Sequence, residues 1–337
     1  MGGIYFLSIS LFSGLFCCGY LSKIKALDTK FIFYFCLVIA IAITGFRYNF
    51  GFDFPQYLNM IHTTQFDGIE QFHIHLMTLA SDFKWPGFYY LVISALIFLF
   101  YFSSDRDDDS YYVKLLSLMF FIVYPLGYIE SISVLRQYVS IACFLCIWNR
   151  KKPDWVFVLA VVIGFLSHFS FILAVLFYCI KFFKIKPNIF LYAFFAATTF
   201  IVINVVLAYL ISHYAYFKFY NSFEKSGFLL TLSSLIIPAL CVFFILRNKN
   251  KQLYDDCNLL FCGIVLFFCL SLFNVQMARL AYYPLLIVPF VIAKLSLNRP
   301  LLRWFAFGFL FATLCYRFYL SSQLPYDYLN NFEINFL

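Results

Sequence analysis

The stretch "DWVFVLAVVIGFLSHFSFILAVLFYCI", residues 154–180, decides the topology of this chain. It is apolar almost throughout, with one histidine near its centre. As a single tilted helix it crosses a bilayer once. As two short passes joined at Ser167-His168-Phe169-Ser170 it crosses twice, and everything downstream changes side.

A bilayer is implied by composition. The 337 residues are 64% hydrophobic and 12% charged, whereas soluble domains carry about 25% charged residues. Apolar runs recur at the roughly 17–25 residues needed to cross a hydrocarbon core of about 30 Å. A soluble globule is excluded. The chain reads as a single all-α polytopic integral membrane domain over 1–337, with twelve passes, some of them short. They fall at about 4–21, 30–46, 86–103, 112–129, 131–148, 154–167, 169–180, 188–210, 228–246, 257–273, 279–294 and 301–320. "MGGIYFLSIS" has no basic n-region, so the first run reads as a retained span.

The basic residues choose between the two readings. With two passes in 154–180, one side collects Lys23, Lys25, Lys30, Arg106, Lys114, Arg150, Lys151, Lys152, Lys181, Lys184, Lys186, Arg247, Lys249, Lys251, Lys294, Arg299 and Arg303. The other receives Arg47, Lys84, Arg136, Lys218, Lys225, Arg279 and Arg317, so the division is 17 against 7. One span gives 12 against 12. The positive-inside rule selects two passes, with both termini on the outer, periplasmic side. Each pass is then about 14 residues, roughly 21 Å, and the turn stops short of the outer surface. Irregular backbone at that depth requires protein or a water-filled cavity around it, which directs His168 into an outward cavity.

The net charge of +8 comes from loop residues and implies no nucleic-acid partner. The eleven cysteines lie mostly inside apolar runs, at spacings that suit packing rather than a disulfide framework or a zinc site. His73-x-His75 falls on an amphipathic interfacial helix over 68–83, whose apolar face is Ile69, Phe72, Leu76, Leu79 and Phe83. Asp107-x-Asp109 reads as a solvated cytoplasmic loop.

Arg47, Arg136 and Arg279 lie at the ends of apolar segments, where a charge is costly in lipid and marks a site or pathway. Asp53 follows Arg47 in "RYNFGFDFPQY", residues 47–57, and Glu130 precedes Arg136 in "GYIESISVLRQYVS", residues 127–140. Arginine's planar fork suits phosphate oxygens. A carboxylate or neutral histidine can take a hydroxyl proton. The set therefore suits a membrane-embedded diphosphate substrate.

"RYNFGFDFPQY" resembles the R-x-x-x-G-x-D-x-x-x-Y signature of the EpsG-like and Wzy-type polysaccharide polymerases, which also follows an early span. Three further stretches agree in order: Glu70 in "FDGIEQFHIHLMTLAS", the "LRQ" of "SISVLRQYVSIACFLCIW", and the histidine–x–serine turn of "LSHFSFILAVL". Arg279 in "NVQMARLAYY" anchors the similarity further along. Where many relatives carry threonine before the aspartate, this chain has Phe52.

The resemblance implies a glycosyltransferase of the bacterial inner membrane. It would polymerise undecaprenyl-diphosphate-linked oligosaccharide repeat units into O-antigen or a similar surface polysaccharide, with its active site facing the periplasm. A chain-length regulator protein is among the implied partners. The donor carries its own activation, so neither metal nor nucleotide cofactor is expected. Arg47, Arg136 and Arg279 are the expected diphosphate ligands. Asp53, His168 and Glu130 are the candidate bases, and Tyr57, Glu70 and Tyr138 the candidate sugar contacts. The segment 47–85 is the expected periplasmic motif loop with its interfacial helix, and 211–227 a second periplasmic loop. The rival readings are a flippase for the same lipid-linked sugar and a membrane O-acyltransferase.

Overall fold

The computed structural model describes residues 28–48, 53–66, 68–103, 110–150, 152–183, 185–213, 228–272, 275–297 and 299–322, with short pieces at 12–14 and 333–334. Most of the expected first pass, most of the 211–227 loop and the Asp107–Asp109 loop lie outside these residues.

The helices run in order α1 Thr29–Gly45, α2 Phe54–Thr63, α3 Gln71–Asp82, α4 Gly87–Tyr101, α5 Tyr111–Val123, α6 Tyr128–Ser133, α7 Leu135–Trp148 and α8 Trp155–Ser167. There follow α9 Ile172–Tyr178, α10 Ile180–Phe183, α11 Ile189–His213, α12 Phe228–Asn248, α13 Tyr254–Ser271, α14 Val275–Ala278, α15 Tyr282–Leu285, α16 Val288–Ser296 and α17 Pro300–Ser322. One antiparallel pairing of two residues joins β1, Arg47–Tyr48, to β2, Glu333–Ile334.

Among the described residues, three segments are long and apolar enough to cross a membrane by length and composition: Ile189–Val206, Lys251–Ser271 and Gln276–Ser296. Shorter apolar helices, α1, α4, α5, α7 and α8 among them, accompany these. This is the helical architecture of a membrane protein. On α11 large apolar side chains point outward, with Phe190 82% and Phe194 70% exposed. Water would penalise such a surface, and lipid does not.

The described chain divides into two units, one running to Ile172 and resuming at Arg299, the other covering 173–298. In the first, α1 packs on α4 and α5, α4 on α7, α7 on α8, and α5 on α17. All of α7 except Arg136 is buried, which marks it as the central helix. Phe120 of α5 stacks on Phe307 of α17 with ring centroids 4.1 Å apart. In the second unit α13 packs against α11 and α12. There the Tyr192 hydroxyl donates to Asn258 Oδ1 at 2.7 Å, and Asn258 Nδ2 donates to the Ile185 carbonyl at 2.8 Å.

Local chemistry sets the boundaries near the histidine turn. Asp154 caps α8 by accepting from the Phe157 N–H at 2.8 Å. The helix ends at Ser167, and His168 takes an extended conformation, φ −162° and ψ 130°. A tight helical turn, Phe169–Phe171, follows. Seven residues of continuous helix would separate Gly164 from Phe171 by about 10 Å along the axis. Instead, the Phe171 ring lies where a Cβ on Gly164 would come within 2.3 Å of it. The helix breaks here, so 154–180 is two segments, and only glycine fits at 164.

A second break was not expected. The run 131–148 is divided at Val134, φ −118° and ψ 58°, into α6 and α7. Arg136 therefore falls in the first turn of α7 rather than inside a long helix. A cation there opposes the helix dipole. The interfacial helix also buries a side that the apolar pattern did not single out. Its buried side is His73, Met77 and Ala80, while Leu79 and Phe83 are 41% and 60% exposed.

Candidate functional site

The site gathers where α1 ends, α2 and α3 begin, and α7 and α8 meet. Arg47 follows α1 directly and is only 3% exposed. Its Nη1 donates to the Thr44 carbonyl at 3.3 Å, and the guanidinium lies 5.3 Å from the centroid of the Tyr90 ring. Its Nε and Nη2 are buried and find no hydrogen-bond partner among the described residues. Burial pulls the guanidinium down to about 10, with Tyr90, Tyr128, Tyr89 and Asp53 opposing, so it stays a cation at neutral pH.

Three tyrosines connect Arg47 to Arg136. Tyr90 stacks on Phe54 at 4.5 Å, and its hydroxyl donates to the Phe54 carbonyl at 3.0 Å. Tyr89 meets Tyr90 edge-on at 5.4 Å and Tyr57 edge-on at 5.7 Å. Arg136 then donates from Nε to the Tyr57 hydroxyl at 2.9 Å.

Arg136 Nη1 also donates to the Gly68 carbonyl at 3.3 Å and forms an ion pair with Glu70. The Tyr57 hydroxyl donates onward to Asp53 Oδ2 at 3.4 Å. Asp53 and Glu70 occupy the N-cap positions of α2 and α3, yet neither side chain caps its own helix. Both are turned toward the Tyr57–Arg136 pair. The helix dipoles favour negative charge at both places. Burial, and then Asp53, push the Tyr57 phenol upward, so its hydroxyl keeps its proton and can donate.

His168 joins the same cluster, within electrostatic reach of Glu70 and Arg136. Burial is the main cause that pulls it down to about 4, so the ring is neutral at pH 7. Its Nδ1 accepts from the Ser170 N–H at 3.2 Å and lies 2.7 Å from Ser170 Oγ. A ring accepting at Nδ1 carries its proton on Nε2. His73 is fully buried, with Nδ1 3.0 Å from the Tyr89 hydroxyl. Burial first, then Arg136 and His168, lower it to about 3, while the Ser167 backbone opposes. The helix pattern gave no sign of this: His73 looked like the polar side of an amphipathic helix.

Glu130 and Tyr138 are held by partners outside this cluster. Glu130 pairs with Arg317 of α17 at 3.4 Å, and Arg317 Nη1 donates to the Pro125 carbonyl at 2.9 Å. The Tyr138 hydroxyl donates to the Leu126 carbonyl. Tyr138 and Tyr57 are 1% and 2% exposed, so neither presents a ring face to a sugar. Arg279 begins a tight helical turn in the second unit, between α14 and α15.

No curated protein and no solved structure matches this chain. The EpsG family model matches residues 30–333, nearly the whole length. That span runs from α1 through the Arg47, Arg136 and His168 segments and beyond Arg279 to β2. The chain belongs to the EpsG family.

Proposed function

We propose that this protein polymerises oligosaccharide repeat units carried on undecaprenyl diphosphate, making O-antigen or a similar surface polysaccharide. The transfer occurs at the outer face of the bacterial inner membrane. The growing glycan leaves its lipid diphosphate and joins a hydroxyl of the next lipid-linked unit.

The observation that carries this reading is Arg47. A buried guanidinium with two donors unmatched among the described residues is costly, because each unmet polar group forfeits its hydration. A diphosphate oxygen would satisfy those donors and neutralise the charge. Arg136 points the same way, since its Nη2 makes no hydrogen bond among the described residues. As the bond from the anomeric carbon to the diphosphate breaks, negative charge grows on the leaving oxygens. Fixed guanidinium donors stabilise that charge most strongly where water is excluded. Arg279 is assigned as a third diphosphate ligand by its position in the sequence.

The hydroxyl proton needs an acceptor. Glu130 is held by Arg317. His168, with its proton on Nε2, donates from that nitrogen in the plane of the ring. It suits a phosphate oxygen better than a hydroxyl. The acceptor is therefore a carboxylate of the Tyr57–Arg136 cluster.

A strain lacking the gene and complemented with Arg47→Ala or Arg136→Ala tests this. Variants that accumulate normally should display single repeat units and no ladder. Full-length ladders would remove the proposed roles. Repeat units retained on the inner leaflet would indicate a flippase, and unchanged ladder length with lost acylation an O-acyltransferase.

A further inference from the structure

We infer that Glu70 is a resident anion on Arg136, displaced by the substrate's diphosphate and thereby released to accept the acceptor hydroxyl's proton. This rests on the glycosyl-transfer reading above and assigns Glu70 the base role that the sequence left between other residues.

Arg136 is held at two points that need not change when substrate arrives. Its Nε is fixed on the Tyr57 hydroxyl at 2.9 Å and its Nη1 on the Gly68 carbonyl at 3.3 Å. Glu70 is the third partner and, among the described residues, the only one bearing charge. Both side chains keep some access, 24% for Arg136 and 21% for Glu70. A pair so placed can be reached and exchanged. A phosphate oxygen matches the guanidinium fork as a carboxylate does and carries more charge.

Glu70 also has freedom to move. It precedes α3 without capping it, so leaving Arg136 breaks no helix hydrogen bond. Two residues before it, Gly68 has φ +70°, the left-handed region that favours glycine, and a Cβ there would meet nothing within 4 Å. The requirement for glycine at 68 is conformational rather than steric.

The exchange couples binding to activation. While paired with Arg136, the carboxylate is occupied by the guanidinium. Once a diphosphate takes the guanidinium, that carboxylate is open to accept a proton from the acceptor hydroxyl. The acceptor oxygen then bonds to the anomeric carbon, the bond from that carbon to the diphosphate oxygen breaks with its electron pair, and the hydroxyl proton passes to Glu70. Undecaprenyl diphosphate departs as the anion. A free enzyme thus keeps its base masked until the donor is seated.

The test uses full-length purified protein, undecaprenyl diphosphate as the binding probe, and ladder formation from lipid-linked repeat units as the activity. Glu70→Gln should bind the probe tighter than wild type by up to roughly fivefold, the worth of a partly exposed ion pair. It should polymerise at least about a hundredfold more slowly. Equal or weaker binding overturns the displacement, and tighter binding with normal polymerisation overturns the base role. If neither wild type nor Glu70→Gln binds the probe, the diphosphate reading itself fails. Should Glu70→Gln not accumulate, wild type alone decides. Hydrogen exchange over residues 68–74 should rise when undecaprenyl diphosphate is added, and unchanged or slower exchange overturns the displacement.

Discussion

The Tyr57 hydroxyl stands between Arg136 and Asp53, accepting from Arg136 Nε at 2.9 Å and donating to Asp53 Oδ2 at 3.4 Å. One buried phenol thus links the two ends of the site, the motif segment after α1 and the first turn of α7. It fixes the direction of the Arg136 fork without consuming the charge of either partner.

Tyr57→Phe should therefore weaken the site without emptying it. The ring keeps its edge-on contact with Tyr89, while Arg136 Nε and Asp53 lose a shared partner. A hydrogen bond to a charged group contributes about 1.5–3 kcal/mol, and solvent reaching Arg136 reduces that. About a tenfold loss of kcat is expected, with normal accumulation in the membrane. Steady-state kinetics on lipid-linked repeat units measure it, and unchanged kcat would show that the phenol only packs.

Arg47→Met should separate stability from activity. Replacing a buried, incompletely paired cation by an apolar side chain of similar length is often neutral or stabilising by about 1–4 kcal/mol. The melting temperature in detergent should hold or rise while the polysaccharide ladder disappears. A large fall in melting temperature would mean that Arg47 supports the fold instead.

Glu130→Gln should polymerise within a few fold of wild type. Its partner Arg317 is also held by the Pro125 carbonyl, so the last helix stays anchored. A stability loss of about 1 kcal/mol is expected for this partly exposed pair. A loss of activity near a hundredfold, without a change in accumulation, would restore Glu130 as a base.

His73 should make the protein acid-sensitive. Its folded value, about 3, lies below the roughly 6.5 of an unfolded histidine. Below that upper value the unfolded chain binds a proton that the native ring refuses, so stability falls as pH drops from about 6.5 toward 3. Arg136 and His168 lie close enough to reinforce the effect. His73→Gln removes the titration, and its slope of stability against pH should be shallower by about 1.4 kcal/mol per pH unit. Identical slopes would show that His73 does not stay neutral.

Much of the site was legible because charge is scarce in an apolar chain. Arg47 and Arg136 stood out as charges at the ends of apolar runs, and the distribution of basic residues divided 154–180 where the structure breaks it at His168. The contribution of Tyr57 was hidden among 26 tyrosines, any of which could pack at an interface. His73 lay outside the apolar stripe of its helix, and the fold buries it while leaving Leu79 of that stripe 41% exposed. No proline or glycine marks the break at Val134, so the run around Arg136 read as one helix. Glu70 was visible as part of a motif, but its pairing spans 66 positions of sequence, and no local pattern encodes that.

The central claim is that Arg47 serves an anionic leaving group. It is tested most directly with purified protein in liposomes, lipid-linked repeat units as sole substrate, and released undecaprenyl diphosphate counted against glycosidic bonds formed. Wild type should release one lipid diphosphate per bond, and a folded Arg47→Met variant should form neither. A folded Arg47→Met variant that builds the full ladder with the same stoichiometry would contradict the account.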